Sequence, residues 1–361
     1  MQRKLTKHNQ EGFSLIEMMI AVTVMVLVSS AVVSLMKSSM VITTANYELT
    51  DAQQSLRTSQ EYINRDLMNA GDGLKSVSKI YLPDGFANNY ITLAANWNET
   101  GIPAGVRNLG ILTTDNQVPA GTAVTGASPA TTVLSTPNLT DRQTILELDP
   151  QFIPLAPTTI SSSGMVVTLP SGTDMTQFTV NEIYYLTSSI GGAFATITAI
   201  NTGTRQLSFV NGDPYGLNLS GTANLVKLIT TSGALPAALQ RMRMIHYYVN
   251  ASGFLMRRVY GAKCLPTVAC VGFQESIIAE HVMNVQFNYS LDQTDAAGNV
   301  VQPTGVLANA NDRTNVRSVE VTVTVETPHV LQNGLRSQLA MTTSTSVRNM
   351  QFRRSQQPVA P

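Results

Sequence analysis

The stretch Gly12-Phe13-Ser14-Leu15-Ile16-Glu17 decides how this chain folds. It joins a short basic leader, residues 1–12, to an apolar run from Phe13 to Met36 in which Glu17 is the one ionisable side chain. A carboxylate inside a membrane-length helix costs about 2.5–3.5 kcal/mol on insertion scales, so such a residue is a functional candidate by default. Cleavage after Gly12 would place a positively charged α-amino group on Phe13, about one helical turn from Glu17 of the same chain or of a neighbouring copy.

The apolar run is long enough to cross a bilayer. Its 24 residues form about 36 Å of helix, against a hydrocarbon core of about 30 Å. Arg3, Lys4 and Lys7 precede it, which predicts a cytoplasmic N-terminus and an outward-facing remainder. Because the proposed cut precedes the apolar run, the helix stays on the mature chain, unlike an ordinary secretory signal. The alternative is an uncleaved signal anchor, which leaves Glu17 without a compensating charge.

These residues resemble the class III signal of type IV prepilins and type II secretion pseudopilins. The resemblance implies that a membrane aspartyl peptidase cuts between Gly12 and Phe13 and then methylates the new amine of Phe13. It also implies that Glu17 is the buried carboxylate that sets helix register during assembly.

The helical pattern continues beyond the membrane-length run. No glycine or proline occurs between Phe13 and Ala70, and Gly71-Asp72-Gly73 then predicts the helix end. Apolar or small residues recur at three- and four-residue steps, which predicts an amphipathic helix over residues 37–73. They are Ile42, Ala45, Leu49, Ala52, Leu56, Ser59, Ile63, Leu67 and Ala70.

The remainder of the chain is predicted to form β-strands. Alternating apolar and polar residues predict strands over Met283–Leu291 and Val319–Val325, and Asn250–Gly253 predicts a hairpin turn between Met244–Val249 and Phe254–Tyr260. Weaker patterns predict further strands at Ile145–Leu148, Met165–Leu169, Ile183–Thr187, Phe194–Ile200, Leu207–Val210, Leu225–Ile229 and Leu339–Val347.

The predicted fold class is therefore α+β and pilin-like. A long N-terminal helix, transmembrane in its first half and amphipathic in its second, packs on an antiparallel sheet. A β-rich middle region over residues 74–240, with an exposed loop at Pro119–Pro137, precedes a C-terminal antiparallel sheet region over residues 241–361.

Three internal segments resemble PilW-type minor pilins. They are Asp141–Leu148, Glu182–Leu186 and the ending formed by Val316–Glu326 with Ser346–Asn349. GspJ-type pseudopilins share a similar ending but are usually much shorter. Many major pilins carry glycine or proline in the apolar segment, whereas this chain has neither there, which favours a minor component. The large domain that follows the helix is more easily accommodated at a pilus tip, in a complex that primes assembly, than repeated along a thin filament.

The charge balance and the absence of catalytic motifs argue against nucleic-acid binding and against catalysis. Removal of the leader would leave 20 basic and 22 acidic residues, a balance that does not favour nucleic acid. The sequence contains no nucleophile elbow, no His-Glu-x-x-His and no phosphate loop. We therefore expect a non-enzymatic protein without cofactor.

Cys264 and Cys270 are the two cysteines, and in an oxidising periplasm they predict a small-loop disulfide. A zinc site would need two further ligands, which His281 alone does not supply. Asp292, Asp295 and Asn299 form only a weak calcium candidate, because their spacing departs from the EF-hand loop and acidic turns after strands are common, so a polar hairpin turn is the preferred interpretation.

The expected location is the inner membrane, in a single pass with the C-terminal part in the periplasm, and then the pilus. The expected partners are other minor and major pilins, the prepilin peptidase and methyltransferase, and the inner-membrane assembly platform. Three alternatives remain open: a secretion pseudopilin, a pilus-tip adhesin or DNA-uptake factor, and a membrane-anchored periplasmic enzyme.

Overall fold

The computed structural model describes residues 12–71, 74, 80–81, 83, 86, 106–107, 111–120, 139–161, 163–187, 192–218, 238–261, 273–292, 303–307, 315–330 and 335–347. One helix, α1, spans Leu15–Asn69, and a short 3-10 turn spans Met175–Gln177. The strands are β1 Ile80–Tyr81, β2 Val106–Arg107, β3 Leu112–Pro119, β4 Leu139–Leu148, β5 Thr159–Ile160, β6 Val166–Thr168, β7 Ile183–Thr187, β8 Gly192–Thr196, β9 Ala199–Asn201, β10 Gln206–Ser208, β11 Ala238–Val249, β12 Leu255–Tyr260, β13 Phe273–Ala279, β14 Val282–Leu291, β15 Val316–Glu326 and β16 Gln338–Ser346.

A long N-terminal helix followed by antiparallel sheets confirms the predicted α+β, pilin-like fold. The one parallel pairing among the described strands joins β1 to β8. The chain divides into two compact units, and α1 contributes to both. The first unit is Met1–Asp51 with Thr327–Ser337, and the second is Ala52–Glu326 with Gln338–Pro361.

The first unit consists of the N-terminal part of α1 and a segment that returns to it. Thr327 closes this segment, because its backbone N–H donates to the carbonyl of Ser337 over 2.9 Å and its hydroxyl accepts from the N–H of Ser337 over 3.0 Å. His329 lies inside the segment, and its Nδ1 is 2.9 Å from Oε1 of Glu48 on the helix.

The second unit is built on a nine-stranded sheet with the order β13-β12-β11-β7-β8-β1-β2. The long strand β11 is its centre, because it pairs with β12, β7 and β4, and β4 in turn pairs with β3. β11 also crosses residue 240, so strands from the middle and C-terminal regions share one sheet.

The remainder of α1 packs into the core of this second unit. Ala52, Leu56, Ser59, Ile63 and Leu67 are buried, as the helical pattern predicts. They share one core with the inward residues of the large sheet and with the apolar face of the β14-β15-β16 sheet, which includes Val319, Val321, Val323 and Val325. Burial begins at Ala52, so the predicted extension of the packed stripe back to Ile42 is wrong: Ile42 is 60% exposed.

Gly71 ends the helix in a conformation that requires glycine. Its φ is +74°, and a Cβ placed there would lie 2.5 Å from Cδ1 of Ile111. Its N–H donates to the carbonyl of Leu146 on β4 over 2.8 Å. The left-handed turn therefore both ends α1 and connects it to the large sheet.

A second, smaller core lies under the four-stranded sheet β5-β6-β10-β9. Phe152, Phe178 and Tyr184 form its aromatic centre, with ring centroids 5.5–5.9 Å apart. Rings at these distances in edge and tilted arrangements contribute about 0.5–1.5 kcal/mol per pair beyond their burial.

Most of the predicted strands are present, and their patterns explain them. The β11–β12 hairpin turns through Asn250–Gly253, where Gly253 has φ +74° and the N–H of Asn250 donates to the carbonyl of Phe254 over 3.0 Å. The predicted single strand Phe194–Ile200 is wrong, because Ile197 and Thr198 separate β8 from β9. The predicted strand Leu225–Ile229 and almost all of the loop Pro119–Pro137 lie outside the described residues.

Candidate functional site: the N-terminal helix

The start of α1 forms a compact hydrogen-bonded cap. Ser14 precedes the first helical residue, and its carbonyl accepts the N–H of Met18 over 3.2 Å. The backbone N–H of Ser14 donates to Oε2 of Glu17 over 3.1 Å. This is the acidic half of a capping box, in which the side chain at the third helical position reaches back to the cap residue.

The cap holds the carboxylate of Glu17 toward the beginning of the helix, where the amine of a cleaved chain would lie. Sequence reasoning identified Glu17 but missed its bond to Ser14. The pattern Ser-x-x-Glu before an apolar run would have revealed it.

Gly12 has no structural reason to be glycine here. A Cβ built on it meets no heavy atom within 4 Å. Within the described part of the chain, packing therefore does not require glycine at this position.

The apolar part of α1 presents its side chains outward on every face. Residues 12–40 are all exposed, Phe13 at 85%. An 18-residue window of this helix has a mean hydropathy of 2.4, and none of it is buried. A helix that is apolar on every face needs an apolar environment, because exposure of so much apolar surface to water is unfavourable in free energy.

Two hydroxyl groups within this segment donate to carbonyls of the helix itself. The hydroxyl of Thr23 donates to the carbonyl of Met19 over 2.8 Å, and that of Ser30 donates to the carbonyl of Leu27 over 3.0 Å. Such internal bonds let hydroxyl residues lie in a lipid environment without an unpaired donor.

Polar contacts of the buried Gln60 and the half-buried Asn64 fix the later part of α1 on the sheets, and sequence reasoning missed both. Gln60 donates through Nε2 to the carbonyls of Val321 and Met341 over 3.1 and 2.9 Å. Asn64 accepts through Oδ1 from the hydroxyls of Thr343 and Thr345 over 3.2 and 2.6 Å. The helix is therefore tied to β15 and β16 at one rotational setting.

Asp66 makes the equivalent contact with the large sheet. It accepts from the hydroxyl of Tyr247 and from Nε of Arg257, each over 2.6 Å, and is 3% exposed. Burial raises the pKa of Tyr247 well above its ordinary value, and the charge of Asp66 raises it further. Tyr247 therefore remains a neutral donor to Asp66 throughout the physiological range.

A second group of buried charges lies near the smaller core. Arg241 is 2.6 Å from Asp149 and 3.2 Å from Glu182, with all three side chains at most 8% exposed. Glu182 also accepts from the hydroxyl of Tyr184 over 2.7 Å. These charges pair with one another and are almost fully buried. Removal of any one of them would leave a buried charge unpaired, so we interpret the group as structural.

The remaining predicted site residues are only partly described. Cys264, Cys270, Asp295 and Asn299 lie outside the described residues, so the disulfide and the calcium site stay predictions. Asp292 is described, and its backbone N–H donates to the carbonyl of Asn315 over 2.8 Å. Within the described part of the chain, no group of three or more His, Cys, Asp or Glu side chains is arranged to hold a metal ion.

Comparison with known families gives one result, and it falls on this helix. The prokaryotic N-terminal methylation motif matches residues 7–33. The chain carries a prepilin-type signal. This match supports a type IV pilin-like protein, of a pilus or a pseudopilus, that is anchored in the inner membrane by its N-terminal helix.

No curated protein and no solved structure matches the chain. The pilin-like assignment thus depends on the N-terminal segment and on the α+β fold.

Proposed function

We propose that this pilin-like chain is a minor pilin of a type IV pilus. The observation that carries the proposal is the methylation motif over residues 7–33, together with the outward-facing apolar helix that follows its cleavage point. The carboxylate of Glu17, held at the start of that helix, supplies the charge that a freed N-terminal amine needs.

In this proposal the prepilin peptidase cuts between Gly12 and Phe13 and methylates the amine of Phe13. The mature chain then waits in the inner membrane through residues 13–36, with its N-terminus cytoplasmic and its remaining residues in the periplasm. Helices in lipid gain no hydrophobic stabilisation from associating. The pairing of Glu17 with the amine of a neighbouring subunit would therefore fix axial register as much as affinity.

The outer region, residues 74–361, is better suited to a subunit present in few copies than to one repeated along the filament. It holds a nine-stranded sheet, a four-stranded sheet and a three-stranded sheet, which is bulky for a unit repeated along a thin filament. The apolar segment also lacks the glycine or proline that would loosen the helix. A subunit that primes assembly with other minor pilins, or that lies at the pilus tip, fits both features.

Mass analysis of the mature chain tests the first step. The expected N-terminus is N-methylated Phe13 in cells with a working prepilin peptidase, and Met1 is expected in cells that lack it. A chain that keeps residues 1–12 in peptidase-positive cells would contradict the proposal.

Deletion of the gene tests the role itself. We expect few or no pili, because a priming subunit is needed before the filament grows. A deletion that leaves pili intact and blocks protein export would identify a type II secretion pseudopilin, which carries the same motif. Normal pili with lost adhesion or DNA uptake would instead identify a tip adhesin or uptake factor.

A further inference from the structure

The first unit contains a groove of about 730 Å³ between α1 and the segment that returns to it. Its lining is mostly apolar and includes Met40, Val41, Ala45, Pro328 and Val330. Two acids, Glu48 and Asp51, also line the groove, and among its described lining residues His329 alone can carry a positive charge.

Glu48 has an incomplete set of contacts in this groove. Its side chain is 10% exposed, and Oε1 is 2.9 Å from Nδ1 of His329. Its other oxygen, Oε2, is buried and has no hydrogen-bond partner among the described residues. A buried carboxylate oxygen without a donor is costly, so the isolated subunit leaves an interaction unmade.

His329 covers this carboxylate loosely. The imidazole is 79% exposed, in contrast to the carboxylate that it contacts. A side chain this exposed can rotate at little cost and admit a second donor to Glu48. Tyr47 also lines the groove, is 74% exposed, and offers an aromatic face to a cation.

We propose that this groove receives a lysine or arginine side chain from the helix of a neighbouring pilin-like subunit. The apolar lining would pack the aliphatic stem, and Glu48 with Asp51 would pair with the charged end. The proposal rests on the proposed function, since it names a partner class for the helix that carries the methylation motif.

The position of the groove argues for a protein partner over a lipid headgroup. Glu48 lies 12 residues beyond Met36, the end of the apolar run, which is about 18 Å along a helix. The headgroup region of one leaflet is only about 5–8 Å thick. A neighbouring subunit anchored in the same membrane would reach this height with its own helix.

Site-directed photo-cross-linking in membranes of the producing cell tests the proposal. Tyr47 is replaced by a benzophenone-bearing phenylalanine in the full chain, and adducts are identified by mass spectrometry of the cross-linked peptide. We expect a peptide from another protein with the same N-terminal motif, containing lysine or arginine. Glu48→Lys should lower its yield at least about tenfold, as expected for reversal of one member of a desolvated charge pair.

Asn46→Lys is the matched control. It introduces the same charge at an exposed position that is absent from the groove lining and lies about 160° around the helix from Glu48. His329→Ala is the second control and should keep the adduct. It removes the contact within the chain and leaves the carboxylate free.

Every outcome decides the proposal. Equal yields for Glu48→Lys and Asn46→Lys, or an adduct with lipid alone, would overturn it. If His329→Ala lowers the adduct yield as much as Glu48→Lys does, Glu48 acts through a contact within its own chain and the proposal is wrong. An adduct between Tyr47 and Lys37 of a second copy of this chain would also overturn it, because the partner would then be the same protein. Failure of the proposed function gives a different result: wild-type chain absent from purified filaments, whatever its adducts in the membrane.

Discussion

The carboxylate of Glu17 accepts a hydrogen bond from the backbone of Ser14 and also carries a negative charge. These two properties are separable, because glutamine can accept the same bond without the charge. Loss of the cap weakens the helix start, whereas loss of the charge removes the partner of a cationic amine. Substitutions at this one residue can therefore distinguish a local helix cap from a group that acts between subunits.

We predict that Glu17→Ala and Glu17→Gln are both cleaved normally and are both poorly incorporated into filaments. The expected fall is about tenfold or more, which corresponds to at least ~1.4 kcal/mol. The measurement is the ratio of chain in sheared filaments to chain in the membrane. Normal incorporation of Glu17→Gln would show that Glu17 acts through the cap alone.

At Gly12 we predict a change in processing without a change in folding. Gly12→Ala, and more strongly Gly12→Val, should slow cleavage about tenfold or more, equal to ~1.4 kcal/mol of lost transition-state stabilisation. The folded chain has room for the added Cβ, so the unfolding midpoint should stay unchanged. Pulse-chase labelling measures the rate, and rapid cleavage of Gly12→Val would contradict recognition of glycine by the peptidase.

The helix α1 is held on the sheets by polar residues that look like surface residues in the sequence. Gln60 and Asp66 are buried, yet both occur among charged and polar neighbours on a helix. Their partners lie on strands far along the chain, such as Met341 and Arg257. Helical periodicity identifies which side of α1 is apolar, but not which polar residues border that side closely enough to be enclosed by the sheets.

Gln60→Ala should lower the free energy of unfolding by about 1–3 kcal/mol, because it leaves the carbonyls of Val321 and Met341 without their donor. Gln53→Ala on the same helix is the matched control, since Gln53 is exposed and gains the same helix propensity. Denaturation of the full chain in detergent measures both. Equal stability of the two variants would show that water replaces the lost donor.

Glu147 on β4 makes the free energy of unfolding depend on pH, and it lies close enough to Asp66 of α1 to be affected by its charge. Burial raises its pKa to about 7, against the lowering effect of Arg243, which is 2.5 Å away. The charge of Asp66 raises it further. Because the folded pKa exceeds the unfolded value, the contribution of Glu147 to stability is fully present below about pH 4.5 and is lost as the pH rises through about 7.

Glu147→Gln should therefore reduce the loss of stability between pH 5 and 7.5, by up to about 3 kcal/mol. The measurement is the unfolding free energy at the two pH values. Glu320→Gln is the control, since Glu320 is exposed on β15. An unchanged pH dependence in Glu147→Gln would mean that Arg243 keeps the carboxylate ionised.

The sequence predicted those elements of the fold that follow from a local residue pattern. The absence of glycine and proline from Phe13 to Ala70 predicted α1, and alternation in Val319–Val325 predicted β15. Strand β13 was missed because four consecutive residues, Gln274–Ile277, are exposed and show no alternation. Pairings such as that of β11 with both β4 and β7 join residues about 50 to 100 positions apart in the sequence, which no local pattern encodes.

The contrast between the exposed and buried parts of α1 predicts which part of the helix the outer region needs in order to fold. Burial in the helix begins at Ala52, and no residue of 12–40 is buried. A chain that begins at Ser38 should therefore be soluble without detergent and should unfold cooperatively at a midpoint close to that of the full chain. A chain that begins at Met68 loses Leu56, Ile63 and Leu67, which are at most 4% exposed, and should not fold, because each lost side chain costs about 2–5 kcal/mol. Near-UV circular dichroism and urea denaturation measure both chains. Loss of cooperative unfolding in the chain from Ser38 would show that the apolar half of α1 stabilises the outer region, contrary to its role as an anchor alone.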